Sequence, residues 1–564
     1  MHSYFHEMNP IGSDLSEAMW LCDEANGESI RGVEADLAAQ AQKVLDAGIP
    51  VEKIHKRGQL SATERIHHLV DEGTFLPLNA LFDPHDNDEG SVGLVNGLAE
   101  VGGRTVMVIA SDNKVLAGAW IAGQGEKIFR AQDMAQRMNI PLVWVLNCSG
   151  VKLTEQEAVY AGRRSGGHTF FRHAQMNLMG VPVLAAVYGT NPAGGGYHAI
   201  SPTRMFAHKN ANMAVGGAGI VSGMSPKGHF DVETAGALID ATLKYKATPP
   251  GGVGIHHDKT GFFSTVHETE QEVLDQLKDY VGKMPAYDRD VFRVAPPAEP
   301  AYPAEDLYRI VPFNQKRVYQ VEQVIARLVD GSEHMEYRAD IGPEIYTGLV
   351  RVDGYLIGVI GNRQGFFGKD YPKYAEGAYM GVGGKLYREG LIKMNEFVTL
   401  CGRDKVPLFW LQDTTGIDVG DIAEQAELLG LGQGLLYSIE NTDIPMMCLV
   451  LRKGSAAAHY VMGGPQGNRN NAFTLGAATT EVYVMHGETA AVAAYARRLT
   501  KEHLAERPLE PVLDKMNALA KQYHDQSRPG YSEKAGFVDQ VATMAGLRSY
   551  LVAFARASYQ NPRS

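Results

Sequence analysis

The hydrophobic pattern along this chain occurs twice. Residues 141–150 read PLVWVLNCSG, and 266 positions later residues 407–416 read PLFWLQDTTG. Each is an apolar run carrying an aromatic, and each breaks into a small polar turn ending in glycine. That pattern predicts a buried strand stopping at a tight turn. A helix start follows both, Thr154-Glu155-Gln156-Glu157 in the first copy and Asp421-Ile422-Ala423-Glu424 in the second, each with a capping-box pattern. A second buried strand is predicted over 181–188, after a helix ending at Gly180. It breaks at residues 189–197, GTNPAGGGY. Asn191 before Pro192 predicts a helix entry there, because Asn caps and Pro tolerates the first turn. The glycines that follow are poor helix formers, each costing ~1 kcal/mol against alanine. Close approach of a ligand or a partner backbone would compensate, with packing of the helix on the strand as the alternative.

The rest of the pattern frames these strands. Residues 1–60 are polar with helical spacing, notably 33–45, and end in the basic patch His55-Lys56-Arg57. Residues 63–70 predict a further short helix, 92–101 and 105–111 a hairpin about Gly102-Gly103, and 128–138 an amphipathic helix. Residues 296–303, PPAEPAYP, hold four prolines in eight positions and predict a linker. Beyond it the pattern restarts. Residues 347–354 echo 95–103 at an offset of 251, and 444–445 echo 181–182 at 263. Residues 453–460 lie on 190–197 at that same 263, and 536–538 echo 261–263 at 275. Order is kept and offsets drift only with loop length, so a duplicated domain is expected. The predicted organisation is an N-terminal helical arm over 1–60, one domain over 61–295, the linker over 296–303 and a second domain over 304–564. The two domains should superpose with Val151 on Ile417 and Gly194 on Ala457.

Composition narrows the function. At 564 residues the chain exceeds one ordinary core. A hydrophobic share of 45% with 21% charged residues is globular, and the 62 glycines fall in short clusters rather than a period. The formal net charge of −12 argues against nucleic acid as a partner. Cys22, Cys148, Cys401 and Cys448 are far apart with no CxxC pair, which fits a reducing cytosol. The first residues lack the basic-then-apolar pattern of a signal peptide, and no apolar run nears the ~20 residues that span a bilayer. A soluble protein is expected, with docking to a membrane partner left open.

Familiar chemistry motifs fail. Residues 381–385, GVGGK, lack the first glycine and the Ser/Thr of a phosphate loop. Residues 217–223 miss the dinucleotide spacing by one. There is no GxSxG elbow and no HExxH, and His256-His257-Asp258 reads as a surface loop rather than a metal site. No metal is expected. What remains is chemistry done by backbone dipoles, because a strand ending in a glycine turn can aim N–H groups at a developing oxyanion.

Five stretches are similar to the carboxyltransferases of biotin-dependent enzymes, in the crotonase superfamily. They are 147–152 (NCSGVK), 188–202 (YGTNPAGGGYHAISP), 214–219 (AVGGAG), 412–420 (QDTTGIDVG) and 452–468 (RKGSAAAHYVMGGPQGN). The resemblance runs almost end to end and is greatest to the branch that decarboxylates glutaconyl-CoA. Propionyl- and acetyl-CoA carboxyltransferases carry a Gly-Gly-Ala-Arg type turn where this chain has Ser149-Gly150-Val151-Lys152, a departure from simple carboxylases.

The resemblance implies an α/β fold of two tandem crotonase-like domains, each a spiral of ββα units. It implies a homodimer whose active sites pair one subunit's N-terminal domain with the other's C-terminal domain. By motif position, the amides of Val151 and Gly194 would bind the thioester oxygen, with Ser149, Gly150, Lys152, Tyr188, Gly195, Gly216 and Gly217 around the acyl-CoA. Lys114, Lys152, Arg163 and Arg164 are candidates for the CoA phosphates. The amides of Ile417 and Ala457 would bind the ureido oxygen of biotin, beside Thr415, Gly416, Ser455, Ala456 and Ala458. No Met-Lys-Met signature occurs, so biotin would arrive on a separate carrier subunit. The expected product is crotonyl-CoA, as the first step of a decarboxylase whose membrane-embedded partner subunit pumps sodium. The protein itself would be cytoplasmic, held at the inner face of the membrane through partner subunits. A carboxyltransferase for 3-methylcrotonyl- or methylmalonyl-CoA, or a non-catalytic crotonase-fold scaffold, are the alternatives.

Overall fold

The computed structural model describes residues 7–15, 21–160, 162, 166–200, 202–217, 220, 231–247, 249–285, 288–367, 381–464 and 467–562. The chain divides into two compact units, Gln40–Asp288 and Met1–Ala39 together with Arg289–Ser564. The beginning of the chain therefore groups with the C-terminal unit. Its strand β1 (Asn9–Pro10) pairs antiparallel with Glu333–Glu336, and helix α1 (Glu24–Asp46) crosses the division. The proline-rich stretch is likewise fastened into the C-terminal unit. Ser332 Oγ accepts from the amide of Ala301 at 2.8 Å, and Arg548 Nη2 donates to the carbonyl of Ala298 at 2.8 Å. Prolines remove donors but leave carbonyls, and the carbonyl of Pro303 accepts from the amide of Asp306 at 3.2 Å.

The N-terminal unit is built on one sheet. Its strands are β2 (Leu76–Leu78), β3 (Leu94–Val101), β4 (Arg104–Ser111), β5 (Leu142–Leu146), β6 (Val183–Val187), β8 (Arg204–His208) and β10 (Thr265–His267), neighbours in that order. Strands β7 (Thr190–Pro192) and β9 (Asn212–Ala214) form a separate parallel pair. β3 and β4 make the expected hairpin, and Gly102 and Gly103 supply the positive φ its turn requires (57° and 77°). β5 and β6 are buried along their whole length, as parallel strands covered on both faces must be. One face packs on α2 (Ala62–Leu69) and α6 (Glu270–Gly282). Between those two helices in the chain lie α3 (Gln124–Met138), α4 (Gly166–Leu178) and α5 (Gly194–Tyr197).

The C-terminal unit repeats the order with β11 (Glu333–Glu336), β12 (Ile345–Val352), β13 (Tyr355–Asn362), β15 (Leu408–Thr414), β17 (Met446–Ser455), β18 (Asn471–Gly476) and β20 (Gln540–Val541). The short strands β14 (Lys385–Leu386) and β16 (Gly416–Ile417) pair apart, and β19 (Glu481–Tyr483) joins β17. Helices α7 (Arg388–Asp404) and α8 (Leu428–Asn441) cover the core around Trp410, and α9 (Ala456–Val461) follows β17. Registers repeat too. Met107 pairs with Leu142 and Leu142 with Val183; Gly358 pairs with Leu408 and Leu408 with Met446. Those positions stand 251, 266 and 263 apart, the offsets seen in the sequence.

Three local expectations differ from the structure. Residues 153–155 form a 3-10 turn ahead of Gln156–Val159, with no capping side-chain bond. The helix at Asp421–Gln425 is preceded by Gly420 at φ 106°, so Asp421 lies inside it rather than capping it. Asn191 does not begin a helix. Thr190–Pro192 is a strand and α5 starts at Gly194, because the Asn191 side chain is spent on backbone groups elsewhere.

Candidate active site

Two strand ends meet in the N-terminal unit. After β5 the chain passes Asn147 and Cys148, turns at Gly150 (φ 103°), and places Val151 beside Trp120. Trp120 donates to the carbonyl of Gly150 at 2.8 Å and accepts from the amide of Lys152 at 2.9 Å. N–H groups alternate sides along an extended chain, so the amide of Val151 faces away from Trp120. After β6 the chain runs through β7 to Ala193, held at φ 46° and ψ −126°, and enters α5. The carbonyl of Ala193 accepts from Gly196 and Tyr197, at 3.0 and 3.2 Å. The amides of Gly194 and Gly195 are left over at the helix start, as the first N–H groups of a helix are. Among the described residues neither Val151 nor Gly194 donates its amide to a protein acceptor.

The glycines let these ends touch. A Cβ on Gly195 would fall 2.5 Å from the carbonyl oxygen of Cys148, so only glycine allows α5 against the β5 turn. A Cβ on Gly194 would lie 3.1 Å from Trp120 Cζ3 and 3.5 Å from Val151 Cγ2, which puts the two amide-bearing residues side by side against the indole. Pro192 is flanked by Gly150 and Gly217, whose added Cβ atoms would come within 3.3 and 2.6 Å of its ring.

The aromatic wall behind them is uncharged. His198 packs on Trp120 and Trp144 with ring centroids 4.4 and 5.7 Å apart. His173 Nδ1 lies 3.0 Å from the carbonyl of Ile200, and its Nε2 accepts from Trp144 Nε1 at 3.1 Å. Burial pushes His173 down to about 4 and His198 down to about 3, so both imidazoles are neutral near pH 7.

The C-terminal unit builds the same arrangement. Gly416 turns at φ 132°, Thr415 donates its amide to Gly384 at 2.8 Å, and Asp418 donates to Leu386 at 3.1 Å. Leu386 stands 266 positions after Trp120, and the alternation again leaves the Ile417 amide facing away from it. Ala456 has φ 49° and Ala457 follows in the first turn of α9, which packs against β16. Ile417 is half-buried, while Ala456 and Ala457 are exposed.

Residues 53–564 match the carboxyl transferase domain family. The chain belongs to that family. It is 52% identical over 565 residues to the glutaconyl-CoA decarboxylase subunit alpha of Acidaminococcus fermentans, covering 100% of this chain and 95% of that one. It is 26% identical over 501 residues to the biotin-dependent 3-methylcrotonyl-coenzyme A carboxylase beta1 subunit of Mycobacterium tuberculosis, covering 87% of each. Among solved structures, the beta subunit of P. aeruginosa geranyl-CoA carboxylase has a TM-score of 0.78 at 24% identity, covering 99% of this chain and 98% of that one. The fold is the expected α/β tandem of crotonase-like domains, and carboxyl transfer is the chemistry of the chain.

The carboxyltransferase places its sequence-derived candidates unevenly. Ser149, Gly150, Val151, Lys152, Gly194, Gly195, Gly216 and Gly217 gather at or beside the two strand ends, with Ser149 exposed and its Oγ donating to Leu116 at 3.0 Å. Lys152 is not an unengaged cation. Its Nζ lies 2.7 Å from Glu89 and 2.5 Å from Glu155, and those bonds hold its pKa above the usual lysine range. Lys114 is buried, its Nζ on the carbonyl of Leu45 and 3.8 Å from Asp112. Tyr188 is also inside the unit, its OH 3.2 Å from the Glu270 carbonyl and Arg65 stacked over its ring. A buried lysine and a core tyrosine do not reach out to a ligand. Arg163 and Arg164 lie outside the described residues. On the other side, Thr415, Gly416 and Ala456 line the turn, whereas Ser455 and Ala458 are buried behind it. Sequence reasoning missed Trp120, because the repeat puts leucine at the matching position.

Proposed function

We propose that this chain moves the distal carboxyl group of glutaconyl-CoA to biotin on a carrier protein, giving crotonyl-CoA. The observation that carries this reading is the side-by-side placement of Val151 and Gly194, with amides that no acceptor among the described residues uses. Breaking the bond to the leaving CO₂ leaves its electron pair in a dienolate conjugated to the thioester, so charge develops on the thioester oxygen. Two preorganised amides act on that charge in the transition state, and losing one such donor typically costs ~2.7–4 kcal/mol. Neutral His173 and His198 place no competing charge behind them.

The turn at Gly416 and Ala456 suits biotin for the same reason. When bound, biotin would supply a ureido nitrogen made nucleophilic as its N–H proton leaves and charge moves to the ureido oxygen, and that one proton balances the one the dienolate gains at its γ-carbon to become crotonyl-CoA. Ile417 and Ala457 would offer that oxygen their amides, and exposure at Ala456 and Ala457 leaves room for a cofactor carried on another chain. The 52%-identical relative is a subunit of a decarboxylase, which supports work alongside other subunits; in this reading those are a second copy of the chain, a biotin carrier subunit and a membrane-embedded sodium-pump subunit. No described helix is long and apolar enough to cross a membrane, so membrane attachment would come through such partners.

The test offers the protein free biotin with glutaconyl-CoA, 3-methylglutaconyl-CoA (the carboxylated form of 3-methylcrotonyl-CoA) or methylmalonyl-CoA. Fastest release of crotonyl-CoA from glutaconyl-CoA is expected. Preference for another thioester would reassign the substrate, and no turnover of any would favour a scaffold.

A further inference from the structure

Asn191 is fully buried, three residues before Gly194, and its side chain spans both strand ends. Its Oδ1 accepts from the amide of Cys148 at 2.8 Å, three residues before Val151. Its Nδ2 donates to the carbonyls of Tyr188 at 2.8 Å and Asn212 at 3.1 Å, with Gly189 at 3.4 Å. An asparagine amide has two N–H donors and one acceptor oxygen, and all are used here. One rigid planar group thus holds the β5 turn, the end of β6 and β9 at fixed separations.

The C-terminal unit meets the same need from the opposite side. Its position matching Asn191 is Gly454, which has no side chain to offer. There Asp413, at the end of β15, reaches across instead. It accepts from Arg452 Nε at 2.8 Å and from the Lys453 amide at 3.3 Å. Each half carries a buried polar bridge between its two amide-bearing segments, although the residues differ. A bridge kept in place while its chemistry changes points to the separation it sets.

We propose that Asn191 is a positioning residue for carboxyl transfer, fixing the distance between the Val151 and Gly194 amides so that both reach one oxyanion. The proposal rests on the reading of those amides as the thioester site. Asn191→Asp keeps the shape but turns the donor edge into an acceptor facing three carbonyls. The separation should relax, and bound thioester should feel one donor where it felt two.

The experiment measures the carbonyl stretch of carbonyl-¹³C crotonyl-CoA bound to the full-length protein, with kcat and KM for glutaconyl-CoA plus free biotin. Wild type should lower the stretch relative to free ligand. Asn191→Asp should lose most of that shift and at least about tenfold in kcat with KM little changed. Lowering the pH should restore part of both, because the introduced carboxyl can donate once protonated. Asn96→Asp is the control for general destabilisation, since buried Asn96 donates to the Lys127 carbonyl at 3.0 Å away from the strand ends. It should melt earlier yet keep the full shift. A full shift and normal kcat in Asn191→Asp, with the shift lost in Gly194→Val, would overturn the role of Asn191 while the site stands. An equal loss in Asn96→Asp would overturn it too. No shift in wild type would overturn the site, and the role of Asn191 with it.

Discussion

Ala193 and Ala456 share a left-handed backbone, φ 46° and φ 49°, at positions 263 residues apart. Neither is glycine, and alanine pays for that region of backbone space with strain, about 1–3 kcal/mol for a residue held there. Each directly precedes a proposed oxyanion donor, Gly194 or Ala457. At Ala193 the turn shows what the strain achieves. The chain leaves β7 and enters α5 with its first amides unspent. Strain kept in both copies of a duplicated unit fits the role proposed for the next amide.

Relieving that strain should stabilise the protein. Ala193→Gly fits φ 46° without penalty, offset in part by the greater freedom of glycine in the unfolded chain. Thermal melting is expected to be unchanged or to rise, by up to about 1 kcal/mol of stability. Ala193→Val should melt well below wild type. A glycine variant that melts several degrees lower would show that the backbone here is not strained.

Gly194→Val should act on chemistry rather than folding. Its side chain would grow toward Trp120 Cζ3 and Val151 Cγ2, 3.1 and 3.5 Å from the added Cβ, closing the space beside the amide. Carboxyl transfer should fall at least ~10²-fold, the loss typical of one oxyanion donor, with melting near normal. Ala457→Val should spare binding of acyl-CoA and impair transfer to biotin. Loss of CoA binding in the Ala457 variant, with near-full glutaconyl-CoA turnover in the Gly194 variant, would reverse the assignment of the two halves.

Its neighbour should behave differently. A Cβ on Gly195 meets the Cys148 carbonyl oxygen at 2.5 Å, and backbone cannot swing aside as a side chain can. Gly195→Ala should therefore lose both stability, by ~1–3 kcal/mol as in other overpacked cores, and turnover. A stable, inactive variant would mean that the turn moves without cost.

Stability should fall on acidification from about pH 6.5. Burial lowers His173 to about 4 and His198 to about 3 in the folded protein, so below the ordinary histidine pKa the unfolded chain binds more protons. The stability present above about pH 6.5 is lost as pH falls, on the order of 2 kcal/mol per histidine by pH 5. His459, lowered to about 4 in the C-terminal unit, acts with the same sign. His198→Phe should flatten the dependence of melting temperature on pH between 7 and 5 relative to wild type. An unchanged slope would mean that His198 does not titrate on unfolding.

The strand ends were legible in the sequence because they are local. An apolar run breaking at glycine needs no distant partner to be recognised, and its recurrence 266 residues on exposed the duplication. The offsets 251, 263 and 266 reappear as strand registers, since register follows which face of each strand is buried. What the sequence could not state is which distant groups meet. Asn191 looked like a helix cap because capping is local chemistry, but the fold brings the Cys148 amide to it and that buried donor takes its oxygen. Lys114 looked like a phosphate ligand because charge is visible in sequence and burial is not, and Lys152 because the fold, not the chain order, brings Glu89 to it. Trp120 left no trace in the repeat, yet it walls the proposed site, because a side chain's neighbours are set by three-dimensional packing and not by chain order.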